Sequence, residues 1–275
     1  MKKTFTILHT NDMHSALIGM GPAADYTPFT LNDDATRGGY ARLASLIATR
    51  RQTRGGDGPV LTLDAGDFSM GTAFAAATRE TGGELQLMSR MGYDATTFGN
   101  HEFDLGPDGL GKAIAVAAKA GRVPAILVSN TIVAGTDATL ADLQRLTKRG
   151  VIRRYLVIER GGMRFGVFGV IGKEAISVTV GAGAAKFADA IETAREVVKV
   201  LRETEKVDVV IALSHGGVVK GKDGRYTEGE DVELARDVPG IDVVISGQPH
   251  RDARGDYRQR PHARGPDREG ESQSR

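Results

Sequence analysis

Residues 94–104 read DATTFGNHEFD, a short strand-like run that ends in a cluster of polar side chains. Residues 95–98 have the length of a buried β-strand and the threonine and aromatic residues that strands favour. Asn100 and His101 follow this strand, and Gly99 before them allows a sharp backbone turn. In open α/β sheets, ligands bind outside the carboxyl ends of the strands. We therefore expect Asn100 and His101 to face a ligand at that edge.

The same arrangement, a strand-like run followed by metal-ligand types of side chain, occurs four more times in the chain. Asp12 and His14 follow residues 4–9, Asp67 follows 59–63, His215 follows 207–213, and His250 follows 241–246. Strands of one sheet would bring all five clusters to a common edge. Oxygen and imidazole ligands suit divalent cations such as Zn, Mn or Fe. The pattern predicts a metal-dependent hydrolase.

Composition narrows the kinds of site that the chain can form. The 275 residues include no cysteine, which excludes disulfides, thiolate catalysis and cysteine-ligated zinc. Any metal must therefore be held by His, Asp, Asn, Gln or Glu. The formal net charge of +1 shows no basic footprint, so we expect no nucleic-acid partner. The sequence says nothing about the oligomeric state.

Two further expectations concern the location of the chain. No run of about 18 uncharged apolar residues occurs, so we expect no membrane partner and no membrane span. The apolar run after Met1 ends at Thr10, which is too short for the core of a signal peptide. The chain as written therefore predicts a cytoplasmic protein.

Periodicity predicts alternating strands and helices along most of the chain. Besides the strands named above, a strand is expected at 125–128, and Gly161-Gly162 predicts a hairpin between 152–159 and 163–170. Helical spacing of apolar residues predicts helices at 38–51, 84–91, 108–120, 187–206 and 230–237. This mixture predicts an α/β fold with a helix-covered mixed sheet or a pair of sheets.

Residues 251–275 break the pattern. They contain seven arginines and no Val, Leu, Ile, Met or Phe. Such a segment buries too little apolar surface to offset the entropy of ordering it. Two interpretations stay open: a disordered tail, or an aberrant end that replaces the natural sequence after about residue 247.

The motifs, taken in order, resemble those of the calcineurin-like metallophosphoesterases. These motifs are NDMH at 11–14, GD at 66–67, GNHE at 99–102, SHGG at 214–217 and GQPH at 247–250. Longer stretches are similar to the bacterial 5'-nucleotidase/UDP-sugar hydrolase/2',3'-cyclic phosphodiesterase family: ILHTNDMH at 7–14, GGYARL at 38–43, DAGDF at 64–68 and FGNHEFD at 98–104. The resemblance covers about residues 4–247.

The resemblance implies a layered metallophosphoesterase sandwich, with two mixed β-sheets flanked by helices, over residues 1–250. Members of the family carry a second, C-terminal domain that grips the nucleoside, and we expect that domain to be absent from this chain. The family also leaves a periplasmic or exported location open.

The resemblance further implies a dinuclear site that holds two divalent metal ions (Mn, Zn, Fe or similar). Asp12, His14, Asp67 and His250 would surround one ion. Asp67, Asn100, His215 and a further residue would surround the other, with the Asp67 carboxylate as the bridge. The implied reaction is hydrolysis of a phosphate ester, most often a nucleotide, by in-line attack of metal-activated water.

His101 and Asp104 resemble the catalytic His–Asp pair of the family. In this interpretation the His101 imidazolium stabilises the transition-state oxygens or protonates the leaving group. Asp104 would hold the imidazole in the orientation that this role requires. Glu102, between them, is interpreted as a support for the ligands.

The chain departs from the family in its last motif, where Gln248 stands in place of a histidine ligand. An amide oxygen is a weaker donor to Zn or Mn than imidazole, so weaker binding of one ion is expected. Two alternatives therefore stay open: a truncated and catalytically impaired remnant, or the same site acting on a cyclic phosphodiester or a thiosulfate-type ester.

Overall fold

The computed structural model describes residues 3–19, 37–221 and 223–248, together with the backbone of residues 251–252. The strands in this part of the chain are β1 (Thr6–Thr10), β2 (Val60–Asp64), β3 (Ala95–Thr96), β4 (Ala125–Leu127), β5 (Thr131–Ile132), β6 (Ile152–Arg153), β7 (Tyr155–Arg160), β8 (Met163–Ile171), β9 (Lys186–Phe187), β10 (Val209–His215), β11 (Val219–Lys220), β12 (Tyr226–Glu228), β13 (Val243–Ser246) and β14 (Arg251–Asp252).

The α-helices of the same part are α1 (Tyr40–Arg54), α2 (Thr78–Thr81), α3 (Gly83–Met91), α4 (Gly106–Ala120), α5 (Ala141–Lys148), α6 (Lys173–Ser177), α7 (Ala190–Lys199) and α8 (Glu230–Asp237). None of the helices in the described part of the chain combines the length and the apolar character that a membrane span requires.

Two larger sheets form the framework. The first has the order β1-β2-β3-β4-β6, and its described pairs are parallel. The second has the order β13-β10-β8-β7, in which β7 and β8 form the antiparallel hairpin predicted around Gly161-Gly162. Two small sheets, β12-β11-β14 and β5-β9, lie beside this framework. The predicted α/β fold with two sheets flanked by helices is confirmed, but in the described pairs the first sheet is parallel and only the second is mixed.

Apolar side chains divide the fold into layers. One buried cluster joins the facing sides of the two sheets, with Leu61 and Leu63 of β2 packed with Phe165 and Val167 of β8. Because side chains alternate along a strand, the outer faces need their own cover. Helices α1, α3 and α4 cover the first sheet, and α7 and α8 cover the second. The ends of neighbouring parallel strands lie level, because Thr10 pairs with Asp64 and Ser214 pairs with Ser246.

Several predicted elements have other bounds than the observed ones, and contacts in the structure explain two of these differences. The predicted strand at 152–159 is divided at Arg154 into β6 and β7, which belong to different sheets. Ile152 packs with the cluster outside the first sheet, whereas Tyr155 packs with the cluster outside the second. The helix predicted from 187 begins at Ala190, because the Asp189 side chain accepts the Glu192 N–H at 3.0 Å and caps it.

The predicted tail begins with β14, whose backbone pairs in parallel with β11. The rest of that segment, residues 253–275, lies outside the described residues, so its disorder stays a prediction.

Candidate metal centre

The loops that follow β1 and β2 lie side by side. The Asp12 N–H donates to the carbonyl of Gly66 at 2.9 Å, and the His14 N–H donates to the carbonyl of Asp67 at 3.0 Å. Asp12, His14 and Asp67 have φ values of 50°, 46° and 53°, in the left-handed region that non-glycine residues avoid. Such a conformation costs about 1–3 kcal/mol per residue and persists where surrounding contacts enforce it. These hydrogen bonds provide that enforcement.

Asp67 is the centre of the predicted ligand cluster. Its Oδ2 lies 3.4 Å from His14 Nε2 and 3.2 Å from His215 Nε2. His14 Nε2 also lies 3.8 Å from Asp12 Oδ1. Two ligands of a tetrahedral ion at 2.1 Å are separated by about 3.4 Å, so this spacing suits donors that share a cation. Four residues from three separate strand ends therefore meet at one point.

The turn after β3 brings Asn100, His101 and Asp104 to the same place. The His101 N–H donates to Asp67 Oδ1 at 2.9 Å. Asn100 is 5% exposed, and its Oδ1 is buried. The His101 ring lies 5.5 Å from the His14 ring, and its Nδ1 lies 2.8 Å from Asp104 Oδ2. The His101–Asp104 pair is thus formed beside the ligand cluster.

Three buried polar atoms in this cluster have no hydrogen-bond partner within the described residues. They are Asp12 Oδ1, Asn100 Oδ1 and His215 Nε2. Leaving a polar atom buried and unpaired costs about 1–3 kcal/mol, so each needs an explanation. The three orphaned atoms are all of types that ligate divalent cations. The residues present therefore fit a metal ion.

The tautomer of His215 supports the same fit. Its Nδ1 lies 2.7 Å from the carbonyl oxygen of Ala65, which can only accept a hydrogen bond, so Nδ1 donates. The lone pair of neutral His215 is then on Nε2, which faces Asp67. Two electron-rich atoms 3.2 Å apart without an aligned hydrogen bond require positive charge between them. A proton or a metal ion meets that requirement.

The electrostatics of the pair show how strongly the centre favours a cation. Burial disfavours charge on both side chains. For Asp67, the contact with His14 and the close imidazole of His215 outweigh burial and hold the pKa of its carboxyl well below the usual range. For His215, the close carboxylate of Asp67 outweighs burial and raises the pKa of the imidazole to about 9. A metal ion would take the place of this proton.

A glycine keeps the centre open. A Cβ built on Gly99 would lie 2.2 Å from Asp67 Oδ1 and 2.6 Å from His215 Nε2. No side chain larger than hydrogen fits there without moving the two ligands. The Gly-Asn-His order of the motif therefore has a steric reason as well as a chemical one.

Glu102, interpreted from the sequence as a support for the ligands, accepts hydrogen bonds from the backbone of the cluster. Its buried carboxylate accepts the N–H groups of Asp67, Gly99 and Ser69 at 2.9, 2.7 and 3.1 Å. Burial and the nearby Asp67 carboxylate raise the pKa of Glu102 to about 8, although these hydrogen bonds favour its anion. Glu102 thus fixes the backbone on both sides of the centre.

Asp231 is a supporting residue that sequence reasoning missed. Its buried carboxylate accepts the hydroxyls of Ser214 and Ser246, and the N–H of Gly217 at 3.0 Å. It therefore ties the end of β10, which carries His215, to the end of β13. In the sequence Asp231 looks like an ordinary acidic residue in the first turn of a helix. Nothing near it in the chain indicates that its partners are Ser214 and Ser246.

The last motif is only partly described. Gln248 is buried, with φ at 77°, and its backbone N–H donates to Asp12 Oδ2 at 3.1 Å. The main chain of Gln248 therefore holds the predicted ligand Asp12 in place, independently of the Gln248 side chain. His250, predicted as a ligand, lies outside the described residues.

Comparisons with known proteins show which proteins this chain is similar to. The chain is 32% identical to the trifunctional nucleotide phosphoesterase protein YfkN of Bacillus subtilis, over 89% of this chain and 16% of that protein. It is 32% identical to the 5'-nucleotidase of Bos taurus, over 88% of this chain and 37% of that one. The chain thus spans well under half the length of these curated relatives.

Among solved structures, the fold is similar to a 5'-nucleotidase precursor from Thermus thermophilus. The TM-score is 0.65 at 26% sequence identity, and the match covers 91% of this chain and 47% of that one. The family model of the calcineurin-like phosphoesterases matches residues 5–252. The resemblance inferred from the motifs is confirmed: this chain belongs to the calcineurin-like phosphoesterase family.

Proposed function

We propose that this chain hydrolyses a phosphate ester, most favourably a nucleotide, at a centre that holds two divalent metal ions. The observation that carries the proposal is the set of orphaned atoms around Asp67: Asp12 Oδ1, Asn100 Oδ1 and His215 Nε2. The large majority of buried polar atoms in folded proteins have a hydrogen-bond partner. A cation on either side of Asp67 gives each of them a partner.

In the proposed division of ligands, Asp67 serves both ions, and Asp12 and His14 belong to one set. Both follow β1, and His14 Nε2 lies 3.8 Å from Asp12 Oδ1. Asn100 and His215 would complete the second set. The two oxygens of one carboxylate suit two ions about 3.5–4 Å apart. The oxygen and imidazole ligands suit Mn, Zn and Fe alike.

His250 and Gln248 are proposed to complete the two sets. His250 would join Asp12 and His14, and Gln248 would stand where relatives offer a histidine. Because an amide oxygen binds these cations more weakly than imidazole does, the second ion would be the weaker one.

The ions would stabilise the phosphoryl oxygens and activate water for in-line attack, which is the chemistry that divalent metals supply to such esters. The chain itself supplies orientation and a proton. Asp104 holds His101 through a 2.8 Å contact to Nδ1, which leaves Nε2 free to face the substrate. In its protonated form His101 can donate to a phosphoryl oxygen or to the departing ester oxygen.

The nucleotide is proposed from the relatives, whose names include a nucleotide phosphoesterase and several 5'-nucleotidases. A cavity of about 310 Å³ adjoins the catalytic pair, with His101, Asp104 and Leu105 in its lining. Such a cavity gives the organic part of an ester room to lie beside the reacting phosphorus.

The proposal is tested by hydrolysis of AMP, of an aryl phosphate and of 2',3'-cyclic AMP by residues 1–275 with Mn²⁺. The informative variant is Asp67→Asn, which keeps the size of the side chain and removes its charge. Asp57→Asn, at an exposed aspartate paired with Arg54, is the matched control.

We expect metal-dependent hydrolysis, with AMP preferred, that falls at least about 100-fold in Asp67→Asn and is unchanged in Asp57→Asn. If the cyclic ester were hydrolysed faster than AMP, the metal centre would stand as proposed, but the substrate would be a cyclic phosphodiester. If the rate of hydrolysis stayed the same after a chelator removed the metal, or in Asp67→Asn, the proposal would be overturned. Failure of every ester in the presence of Mn²⁺ would favour the impaired remnant.

A further inference from the structure

A second cavity lies at the opposite edge of the first sheet from the candidate metal centre. Its volume is about 490 Å³, and its lining includes Val60 at the start of β2, Asp94 just before β3 and Arg122 just before β4. These are the amino-terminal ends of strands whose carboxyl ends carry the metal ligands. The length of β2 places the two sites about 15 Å apart.

The charged side chains that line this cavity are mostly positive. Arg51, Arg122 and Arg160 face one carboxylate, that of Asp94, so the lining has a formal charge of +2. Asp94 is engaged by Arg160, whose Nη2 donates to Oδ1 at 2.7 Å and whose Nη1 donates to Oδ2 at 3.1 Å. The remaining two arginines make no ion pair within the residues that the structure describes.

Arg51 is held in place by neutral partners. It donates to Thr62 Oγ1 from Nε at 3.1 Å and from Nη2 at 2.8 Å, and it also donates to the carbonyl of Gly92. A Cβ on Gly92 would lie 2.2 Å from Arg51 Nη1, so this glycine makes room for the guanidinium. Arg51 is therefore ordered on folding, while its charge is left without a counter-ion in the described chain.

Arg122 adds a second uncompensated charge. It is exposed at the mouth of the cavity and makes no hydrogen bond or ion pair with the described residues. A guanidinium presents donors in a planar fork that matches the oxygens of phosphate. Two such groups around one cavity, one of them already fixed, form a site for a doubly charged oxyanion.

We propose that this arginine-lined cavity binds phosphate, either as the inorganic ion or as the phosphoryl group of a small organic monoester. Its formal charge of +2 balances the dianion. Because Arg51 and Arg160 are positioned by Thr62, Gly92 and Asp94, little side-chain entropy is lost on binding. The site is separate from the metal centre and does not depend on the proposed activity.

The test is a titration of ¹⁵N-labelled, metal-free protein in EDTA, followed by the amide signals of Gly55 and Gly92. Inorganic phosphate and AMP are added in separate arms, and chloride at the same ionic strength measures the effect of salt alone. Arg122→Ala is the informative variant. Arg149→Ala, at an exposed arginine whose side chain makes no hydrogen bond or ion pair within the described residues, removes the same charge elsewhere.

We expect saturable shifts at Gly55 and Gly92, with binding weakened roughly tenfold in Arg122→Ala and unchanged in Arg149→Ala. Equal affinities in the two arms would identify the inorganic ion as sufficient, and tighter binding of AMP would identify an organic monoester. Shifts that do not saturate, that chloride reproduces, or that Arg149→Ala weakens equally would overturn the proposal. Loss of hydrolysis at the metal centre would leave this result unchanged.

Discussion

A single methyl group at Gly99 should empty the metal centre. The built Cβ would lie 2.2 Å from Asp67 Oδ1, whereas real Cβ contacts stay beyond 3.0 Å. Asp67 would therefore have to move by about 0.8 Å, and metal–ligand distances tolerate only about 0.2 Å. Gly99 does not have a positive φ, so alanine is compatible with its backbone. The damage should be confined to the site.

The size of the effect follows from these displacements. Mutations that only disturb the orientation of a ligand lower metal affinity by about 10–100-fold. Gly99→Ala displaces the proposed bridging ligand itself and also meets His215 Nε2 at 2.6 Å, so we expect a loss above that range. The cost to the fold should be about 1–3 kcal/mol, typical of an overpacked interior.

Two measurements separate the site from the fold. Calorimetric titration with Mn²⁺ gives the affinity and the number of ions, and thermal unfolding in EDTA gives the cost of the methyl group without metal. Gly56→Ala is the control, because a Cβ there meets nothing within 4 Å. A Gly99→Ala protein that binds Mn²⁺ with wild-type affinity would refute the steric argument and the proposed position of the ions.

Three other predictions follow from the same contacts. Asp104→Asn should lower kcat for AMP about tenfold or more and leave the metal content unchanged, because this carboxylate contacts His101; a loss of metal instead would mean that the pair belongs to the ligand set. Asp231→Asn should reduce the free energy of unfolding by about 2 kcal/mol, since a buried carboxylate with three donors is lost; unfolding in urea measures this, and an unchanged midpoint would contradict it. Mn²⁺ at 100 times its Kd should stabilise the protein by about 2.7 kcal/mol, which EDTA should reverse and Asp67→Asn should abolish; equal melting shifts in wild type and variant would place the ions elsewhere.

Much of the candidate centre could be predicted from the sequence, because each ligand type follows a recognisable strand. Asp12, His14, Asp67 and His215 come from distant parts of the chain, and parallel strands bring them to one edge. The structure places these four together. Asn100 directly precedes His101, whose N–H donates to Asp67 Oδ1. The local pattern is sufficient here because the carboxyl ends of parallel strands lie at the same edge of a sheet, which brings the ligands together.

The elements that sequence reasoning missed depend on packing between distant segments. Residues 152–159 read as one strand, but which sheet each half joins is decided by the clusters that bury Ile152 and Tyr155. Asp231 gave no signal because its partners Ser214 and Ser246 lie 17 and 15 residues away. Contacts between residues far apart in the chain produce no periodic pattern in the sequence, so they could not be predicted from it.

The last motif shows a different limit. Gln248 predicted a weaker ligand from the chemistry of its side chain alone. The structure adds a role for its main chain, since its N–H donates to Asp12 Oδ2. A backbone contact of this kind is almost independent of the side chain, so no residue type in the sequence could have indicated it.

Anomalous scattering from crystals grown with Mn²⁺ would locate the two cations proposed to share Asp67. We expect two anomalous peaks about 3.5–4 Å apart, one on each side of the Asp67 carboxylate. Asp12 and His14 should contact one peak, and Asn100 and His215 should contact the other. A single peak, or none within bonding distance of Asp67, would show that two cations do not share this carboxylate.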